Sequence, residues 1–393
     1  MNINTLKDIK ELKGKKVLLR TDFNVPMQNG NIEDDTRITE ALPTIKYLIE
    51  QGAKIIIITH LGRPDGEIVE KLRVDAIGIR LGELLNINVK KSNDSIGPDA
   101  KEFITAMKNG DIVLLENIRF HKEEEENNNE FSKKLASMGD IFVNDAFGTA
   151  HRAHCSTTGI AKLLPSFAGL LMEKEINALS SVKNAKRPLT MIFGGAKIDT
   201  KIGIIKHFIN KADYFLMGGG IANTFLSAAG YNVANSLFEK DKEQTAREIM
   251  LECEKNEEKF ILPKDVIVAS KISEDAETLD IPIKDVIGDM KILDIGKHSI
   301  NRYVEIINKS ETIIWNGPIG LYEMKPFREG TRAIAEAIAQ SKATSILGGG
   351  DTADAISKIE IDKDKFTHIS TGGGAAIEFL SGETLPAVEC LKK

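Results

Sequence analysis

Six basic side chains in the first 155 residues, Arg37, His60, Arg63, Arg119, His151 and Arg152, stand just past apolar runs or at the start of a helix-length stretch. The runs are IIIITHLGRP (55–64), IVLLENIRF (112–120) and IFVNDAFGTAHR (141–152). If these runs are parallel strands, the basic side chains converge on one sheet edge, where open α/β sheets bind ligands. The arginine fork donates two parallel hydrogen bonds and suits carboxylate and phosphate. Any one of the six could serve the structure alone; their convergence points to a small, highly charged anion. Asp22 and Asn24, in RTDFNVP (20–26), end the first such run. They could accept from a substrate hydroxyl, orient an arginine, or form an Asx-type turn before Pro26.

The second half ends its runs in glycine instead: MIFGGAK (191–197), FLMGGG (215–220), SILGGGDT (345–352) and HISTGGGA (368–375). Glycines there either permit tight strand–helix turns or bare backbone N–H groups to phosphate. The Walker A pattern is absent. GGGDTA (348–353) fits GxGxxA, but the run after it ends in His368-Ile369-Ser370-Thr371, without the carboxylate a dinucleotide site needs. Asp351 is then a candidate Mg²⁺ ligand or a helix cap. Lys197 and Lys201 are four apart, which on a helix puts both on one face; they could straddle a phosphate or be solvated. One half for an anionic metabolite and one for a nucleotide is the layout of a small-molecule kinase.

The elements that must position these residues alternate. KVLLRTDF (16–23) precedes TRITEALPTIKYLIEQG (36–52), which has apolar residues at helical spacing and a glycine stop. KIIIITH (54–60), a helix near 74–86, DIVLLE (111–116), a helix near 130–138 and DIFVND (140–145) follow. PLTMIFGG (188–195), DYFLMGGG (213–220), KFILPKDVIVA (259–269), TIIWNGP (312–318), TSILGGG (344–350) and THISTGGG (367–374) repeat the theme. The pattern predicts an α/β protein with mostly parallel sheets. The organisation expected is an anion-binding domain over 1–168, a connecting helix over 169–184 and a nucleotide-binding domain over 185–375. Residues 376–393 are expected to pack back on the first domain, and EEEENNNE (123–130) to form a solvated loop.

At 393 residues the chain suits two domains. Its composition, 42% hydrophobic and 28% charged, is that of soluble globular material. A net charge of −6 argues against a general nucleic-acid binder. The three scattered cysteines suit a reducing compartment, and neither a signal peptide nor a membrane span is legible, so a cytoplasmic protein is expected.

RTDFNVP (20–26), THLGRPDG (59–66), LLENIRFHKEEE (114–125), NDAFGTAHRAH (144–154), GGAK (194–197), WNGPIGLYE (315–323), GGGDT (348–352) and STGGGA (370–375) resemble, in order, the motifs of the phosphoglycerate kinases. The resemblance spans nearly the whole chain. It implies two Rossmann-like domains facing each other across a hinged cleft, usually in a monomer. The implied reaction moves the acyl phosphate of 1,3-bisphosphoglycerate to MgADP, giving 3-phosphoglycerate and MgATP. It also implies that Asp22, Asn24, Arg37, His60, Arg63, Arg119 and Arg152 hold the triose, with Arg37 catalytic. Lys197 and Lys201, with Gly195 and Ala196 before them, take the nucleotide phosphates, Lys201 reaching the transferring group. Gly218, Gly219, Gly220 and Pro318 line the adenine and ribose site, Asn316 lies near the phosphates, and Glu323 meets the ribose hydroxyls. Asp351 holds Mg²⁺, and the N–H groups around Gly349, Gly350 and Thr352 and around Gly373 receive phosphate oxygens.

One departure is visible. The family commonly carries a small-Asp pair before the second lysine, whereas this chain reads Ile198-Asp199-Thr200-Lys201. The acid is displaced by about 100° around a helix, and its usual contact is in question. Two other readings remain, a nucleotide-dependent oxidoreductase and a nucleotide-binding protein that kept the fold without the activity. The first is separated by whether ADP or NAD raises the melting temperature. Loss of Arg37, Asp351 or a lysine would have favoured the second, and all are present.

Overall fold

Aliphatic runs too short for helices fold here as strands buried on both faces, as central parallel strands must be. The computed structural model describes residues 1–253 and 259–393. It divides into two units, Met1–Ser180 with Thr384–Lys393, and Ser181–Glu383.

In the first unit the strands are β1 (Lys16–Arg20), β2 (Met27–Gln28), β3 (Asn31–Ile32), β4 (Lys54–Ile58), β5 (Lys90–Lys91), β6 (Ile112–Leu114), β7 (Ile141–Asn144) and β8 (Ser166–Ala168). Six of them form a parallel sheet in the order β5-β6-β4-β1-β7-β8, and β2 and β3 pair as a small hairpin. Side chains alternate across the sheet. Val17, Leu19, Ile55 and Ile57 enter one core with the helix Thr36–Glu50, while Leu18, Ile56 and Ile58 enter the other. That helix buries Ile38, Ala41, Ile45 and Leu48 and is followed by Gly52 at φ +70°.

The second unit contains β9 (Leu189–Phe193), β10 (Tyr214–Met217), β11 (Phe260–Ile261), β12 (Asp265–Ala269), β13 (Leu279–Pro282), β14 (Lys291–Ile295), β15 (Thr312–Asn316), β16 (Thr344–Gly348) and β17 (His368–Ile369). Its parallel sheet runs β11-β10-β9-β15-β16-β17, the doubly wound order whose direction reverses between β9 and β15. The run 259–269, read as one strand, is two. Pro263 lacks the N–H a ladder needs, so β11 stays in the parallel sheet while β12 joins an antiparallel sheet, β13-β12-β14.

The division at Ser180/Ser181 falls inside the helix Leu170–Ser181. Of the final stretch, the helix Gly374–Leu380 stays in the second unit, and Thr384–Lys393 returns to the first. There Asn4 N donates to Leu391 O at 2.7 Å and Ala387 N to Ala150 O at 3.1 Å.

Candidate active site

In the first unit the basic residues gather past the carboxyl ends of the strands. Asp22 follows β1, His60 follows β4, Arg119 sits in the 3₁₀ turn Ile118–Phe120 after β6, and Arg152 comes eight residues after β7. Arg37 occupies the second position of the helix Thr36–Glu50 and pairs with Asp22 Oδ2. The other oxygen, Asp22 Oδ1, lies 3.8 Å from His60 Nδ1 and accepts from Asn24 N at 3.3 Å. Asn24 Oδ1 accepts from Gly62 N at 2.8 Å, and Arg119 Nη1 donates to Gly62 O at 2.8 Å. Asp22 and Asn24 therefore do two of the three things the sequence left open: Asp22 closes an Asx-type turn and pairs with Arg37, and Asn24 holds the Gly62 turn that Arg119 contacts.

This cluster is short of anions. His60 is buried, and burial, then the charges of Arg20, Arg119, Arg152 and Arg37, push its pKa well below the ordinary value. Arg119 is buried too, and burial with the nearby Arg152 and Arg20 brings it down to about 10, against the opposing charge of Glu125. Arg152 Nε lies 3.3 Å from His151 Nε2. A small anion entering here would relieve the mutual repulsion of these cations. Arg63 alone is exposed, one residue past Gly62.

Two members were not identified from sequence. Arg20, the last residue of β1, is 1% exposed, and its Nη2 lies 3.2 Å from His60 Nδ1. The signal was there, since an arginine closing an otherwise aliphatic strand must be paired. Glu124 is fully buried beside Ser156 and within the field of Arg20. The solvated-loop reading of 123–130 therefore fails at Glu124 and for the helical residues, while Glu125, Glu126 and Asn128 to Glu130 are exposed as expected. These residues form the short helix Lys122–Glu125 and the cap of the helix Asn129–Ala136, with Asn128 Oδ1 accepting from Phe131 N at 3.1 Å. Charge composition cannot show that one glutamate of four points inward.

The glycines of the second unit divide into two kinds. At the β9/β15 reversal the backbones touch: Gly195 N donates to Pro318 O at 2.8 Å and Gly218 N to Phe193 O at 2.8 Å. A methyl group on Gly194 would meet the Pro318 carbonyl, and one on Gly219 or Gly220 would meet the backbone of Gly195 or Ala196. These glycines are required by close backbone approach, and Gly195, Gly218 and Gly219 spend their N–H groups internally. Pro318 is buried with its carbonyl committed.

Gly349, Gly350, Gly373 and Gly374 are different. A methyl on Gly350, Gly373 or Gly374 meets nothing within 4 Å, and Gly349 and Gly373 take φ +94° and +52° to start the helices Gly350–Lys358 and Gly374–Leu380. A helix start leaves its first N–H groups without intrahelical partners. Thr352 is buried, its Oγ accepting from Gly317 N and donating to Gly348 O, both at 2.8 Å. Its side chain thus ties the helix start to β15, leaving only its backbone for a ligand. Asp351 is exposed in the first turn and is not the cap, which is Gly349.

Lys197 and Lys201 do not share a helix face. Gly195 at φ +91° leads into a turn, and Lys197 is exposed and precedes the 3₁₀ turn Asp199–Lys201. Lys201 instead reaches inward to donate to Asn316 Oδ1. Burial lowers its pKa to about 8, with Asp351 pulling the other way. Asn316 is buried, and its Nδ2 faces Gly348 and Gly349, so Lys201, Asn316 and the Gly349 turn are contiguous. Asp199 makes a surface ion pair with Lys242 at 2.7 Å. Glu323 is exposed beside Tyr322, whose hydroxyl donates to Asp354 at 2.6 Å.

Among the described residues no three or more His, Cys, Asp or Glu group around one point to hold a metal. A single exposed carboxylate beside a helix start fits Mg²⁺, which keeps waters and binds through one or two carboxylates plus substrate phosphates. No helix among the described residues is long and apolar enough to cross a membrane.

A model of the family "Phosphoglycerate kinase" matches residues 6–383. The chain is 53% identical to the phosphoglycerate kinase of Dictyoglomus turgidum (strain DSM 6724 / Z-1310), with 99% of this chain and 98% of that protein covered. Among solved structures, the phosphoglycerate kinase of Coxiella burnetii superposes with a TM-score of 0.89 at 41% identity, covering 99% of this chain and 98% of that one. The Pyrococcus horikoshii OT3 enzyme gives 0.87 at 36% identity, with the same coverage. With matches of this extent, the chain belongs to the phosphoglycerate kinase family.

Proposed function

We propose that this chain carries out phosphoglycerate kinase chemistry with the triose held in the first unit and MgADP or MgATP in the second. The observation that carries the assignment of sites is the contrast between a buried, anion-poor Arg/His cluster and a helix start with open glycines beside Lys201. Arg119, Arg152, Arg63 and His60 bind the anionic groups of 3-phosphoglycerate, and Asp22 and Asn24 hold Arg37 and the Gly62 turn in place. Lys197 and the N–H groups from Gly349 to Thr352 and at Gly373 take nucleotide phosphates. Gly195 and Ala196 set the Lys197 turn, Gly218 to Gly220 and Pro318 wall the nucleoside, and Glu323 accepts from ribose hydroxyls.

An acyl phosphate is already activated, so its carboxylate leaves without a general acid. What remains is positioning and stabilisation of charge on the three equatorial oxygens of the transferring group. Arg37, Lys201 and the N–H groups at Gly350 and Gly373 supply positive potential there. Mg²⁺, when bound with the nucleotide through Asp351, neutralises phosphate charge. Direct transfer also requires that the two bound substrates meet with water excluded. The three free thiols accord with action in a reducing cytoplasm, and we propose a monomer.

The test is ATP-dependent turnover of 3-phosphoglycerate, coupled to NADH oxidation through glyceraldehyde-3-phosphate dehydrogenase. Turnover that vanishes without Mg²⁺ or without the triose is expected. ADP binding with no turnover would identify instead a nucleotide-binding protein on this fold.

A further inference from the structure

A buried hydrogen-bond chain runs behind His60. Glu124 Oε2 accepts from Ser156 N at 2.9 Å, and Glu124 Oε1 accepts from Ser156 Oγ at 2.5 Å. Having given its one proton to Glu124, Ser156 Oγ accepts from Arg20 Nε at 2.8 Å. Arg20 Nη1 donates to Thr21 O, and Nη2 points to His60 Nδ1 at 3.2 Å. Glu124 and Ser156 are fully buried, and Arg20 and His60 are nearly so.

The chemistry of this chain allows one arrangement of protons. A guanidinium has only donors, so His60 Nδ1 facing Arg20 must be the acceptor. The rival acceptor for a proton on Nδ1 is Asp22 Oδ1, and at 3.8 Å it is beyond hydrogen-bond reach. The ring's single proton therefore sits on Nε2. Arg20 in turn needs a counter-charge, because an isolated buried cation is strongly disfavoured, and Glu124 is the buried carboxylate behind it. Burial raises the Glu124 pKa while Arg20 and the Ser156 hydrogen bonds oppose the rise. His154, whose Nδ1 is 3.9 Å from Glu124 Oε1, is itself pushed down to about 4 by burial and the surrounding arginines, and supplies no charge near neutrality.

We propose that Glu124, acting through Ser156 and Arg20, is a positioning residue that fixes His60 with Nδ1 as acceptor and Nε2 as donor, so that the ring meets the triose anion as a neutral hydrogen-bond donor. This rests on the reading of His60 as a triose-binding residue. It gives the acidic run at 123–126 a purpose outside solvation: one of its glutamates sets the tautomer of a histidine 64 positions earlier in the chain. A fixed donor needs no proton taken from solvent when the substrate binds. Without the chain the ring could protonate either nitrogen, and only part of the population would present Nε2–H.

The experiment uses the full-length protein with ¹⁵N-labelled histidine, recording ring nitrogen shifts of wild type, Ser156→Ala and Glu124→Gln, with His60 assigned through His60→Ala. Wild type is expected to show the Nε2–H tautomer alone. Ser156→Ala removes one buried oxygen and no charge, so it carries the test even where Glu124→Gln fails to fold. It is expected to mix the tautomers and to raise KM for 3-phosphoglycerate about 5- to 20-fold, with KM for ATP unchanged and kcat within about twofold. A wild-type ring protonated on Nδ1 would overturn the proposal. So would a Ser156→Ala protein that keeps the wild-type ring pattern or the wild-type triose KM. His60→Ala separates the two levels of the argument. If it leaves triose KM unchanged, the assignment of His60 to the triose fails; if it raises that KM while Ser156→Ala changes nothing, the positioning role alone fails.

Discussion

The Lys201 ammonium donates to the side-chain oxygen of Asn316, 115 residues away in sequence, and lies half-buried beside the Gly349 turn. The contact links the start of one helix to the end of β15. Burial holds it at about 8, against an ordinary 10.5, and an approaching phosphate would raise it again.

Nucleotide binding is therefore expected to take up protons. Near pH 8 to 9 part of the free enzyme carries neutral Lys201, and ATP binding returns the proton. Titration calorimetry of ATP binding in two buffers of different ionisation enthalpy measures the uptake directly. Lys201→Met is expected to abolish the buffer difference and to lower kcat by roughly 10²–10⁴. The same variant tests a stability effect of known sign. Between about pH 8 and 10.5 the unfolded chain holds a proton that the folded one has released, so wild-type stability rises with pH in this window, and Lys201→Met should lose that rise.

Arg37 and Arg119 are expected to fail differently. Arg37 is 34% exposed and tethered only to Asp22 among the contacts described, free to follow the transferring group. Arg37→Ala should lower kcat by roughly 10²–10⁴, equivalent to about 3–5 kcal/mol of transition-state stabilisation. Arg119 is held in its turn by Gly62 and Glu125. Arg119→Ala should mainly raise KM for the triose, as loss of a contact made equally in ground and transition states does. Steady-state kinetics with the triose varied at saturating ATP distinguishes the two.

The two kinds of glycine predict opposite outcomes for one methyl group. In Gly194→Ala the methyl meets the carbonyl oxygens of Pro318 and Gly317, which are backbone and cannot yield cheaply. A loss of about 2–3 kcal/mol or more is expected, seen as a lower melting temperature. In Gly350→Ala the methyl meets no protein atom, and the residue is helical. The melting temperature should hold or rise, since alanine suits a helix better by about 0.5–1 kcal/mol, while kcat/KM for ATP falls roughly tenfold or more.

Asp294 gives a second pH dependence. It is buried, accepts from Gly330 N at 2.7 Å and Ile295 N at 2.9 Å, and burial, helped by Glu329, raises its pKa to about 8. The folded carboxyl keeps a proton that the unfolded chain loses near pH 4. Stability from this group is full below about pH 4 and declines until the folded carboxyl ionises near pH 8. Between pH 5 and 8 the decline should be on the order of 2–4 kcal/mol. Denaturant unfolding followed by the fluorescence of Trp315, the one tryptophan, reads it out. Asp294→Asn should flatten the slope.

The sequence by itself determined the class of fold, because short Ile/Val/Leu runs alternating with amphipathic stretches can bury their faces only as a helix-covered parallel sheet. It also brought most of the candidate residues to one edge of each sheet, because strand ends in such a sheet share one edge wherever their neighbours lie. What it could not settle was which charged and flexible residues turn inward. Glu124 is indistinguishable by composition from its solvated neighbours until β1 and the helix Lys122–Glu125 bring Arg20 and Glu124 to Ser156. Lys197 and Lys201 looked equivalent by spacing, and the Gly195 turn made them unlike. Glycine triplets alike on paper proved to be close-packed backbone in one place and open helix starts in another. Strand and helix follow from periodicity, which is local; burial of a charge and the direction of an N–H depend on partners up to a hundred residues and more away, and only the tertiary structure supplies those.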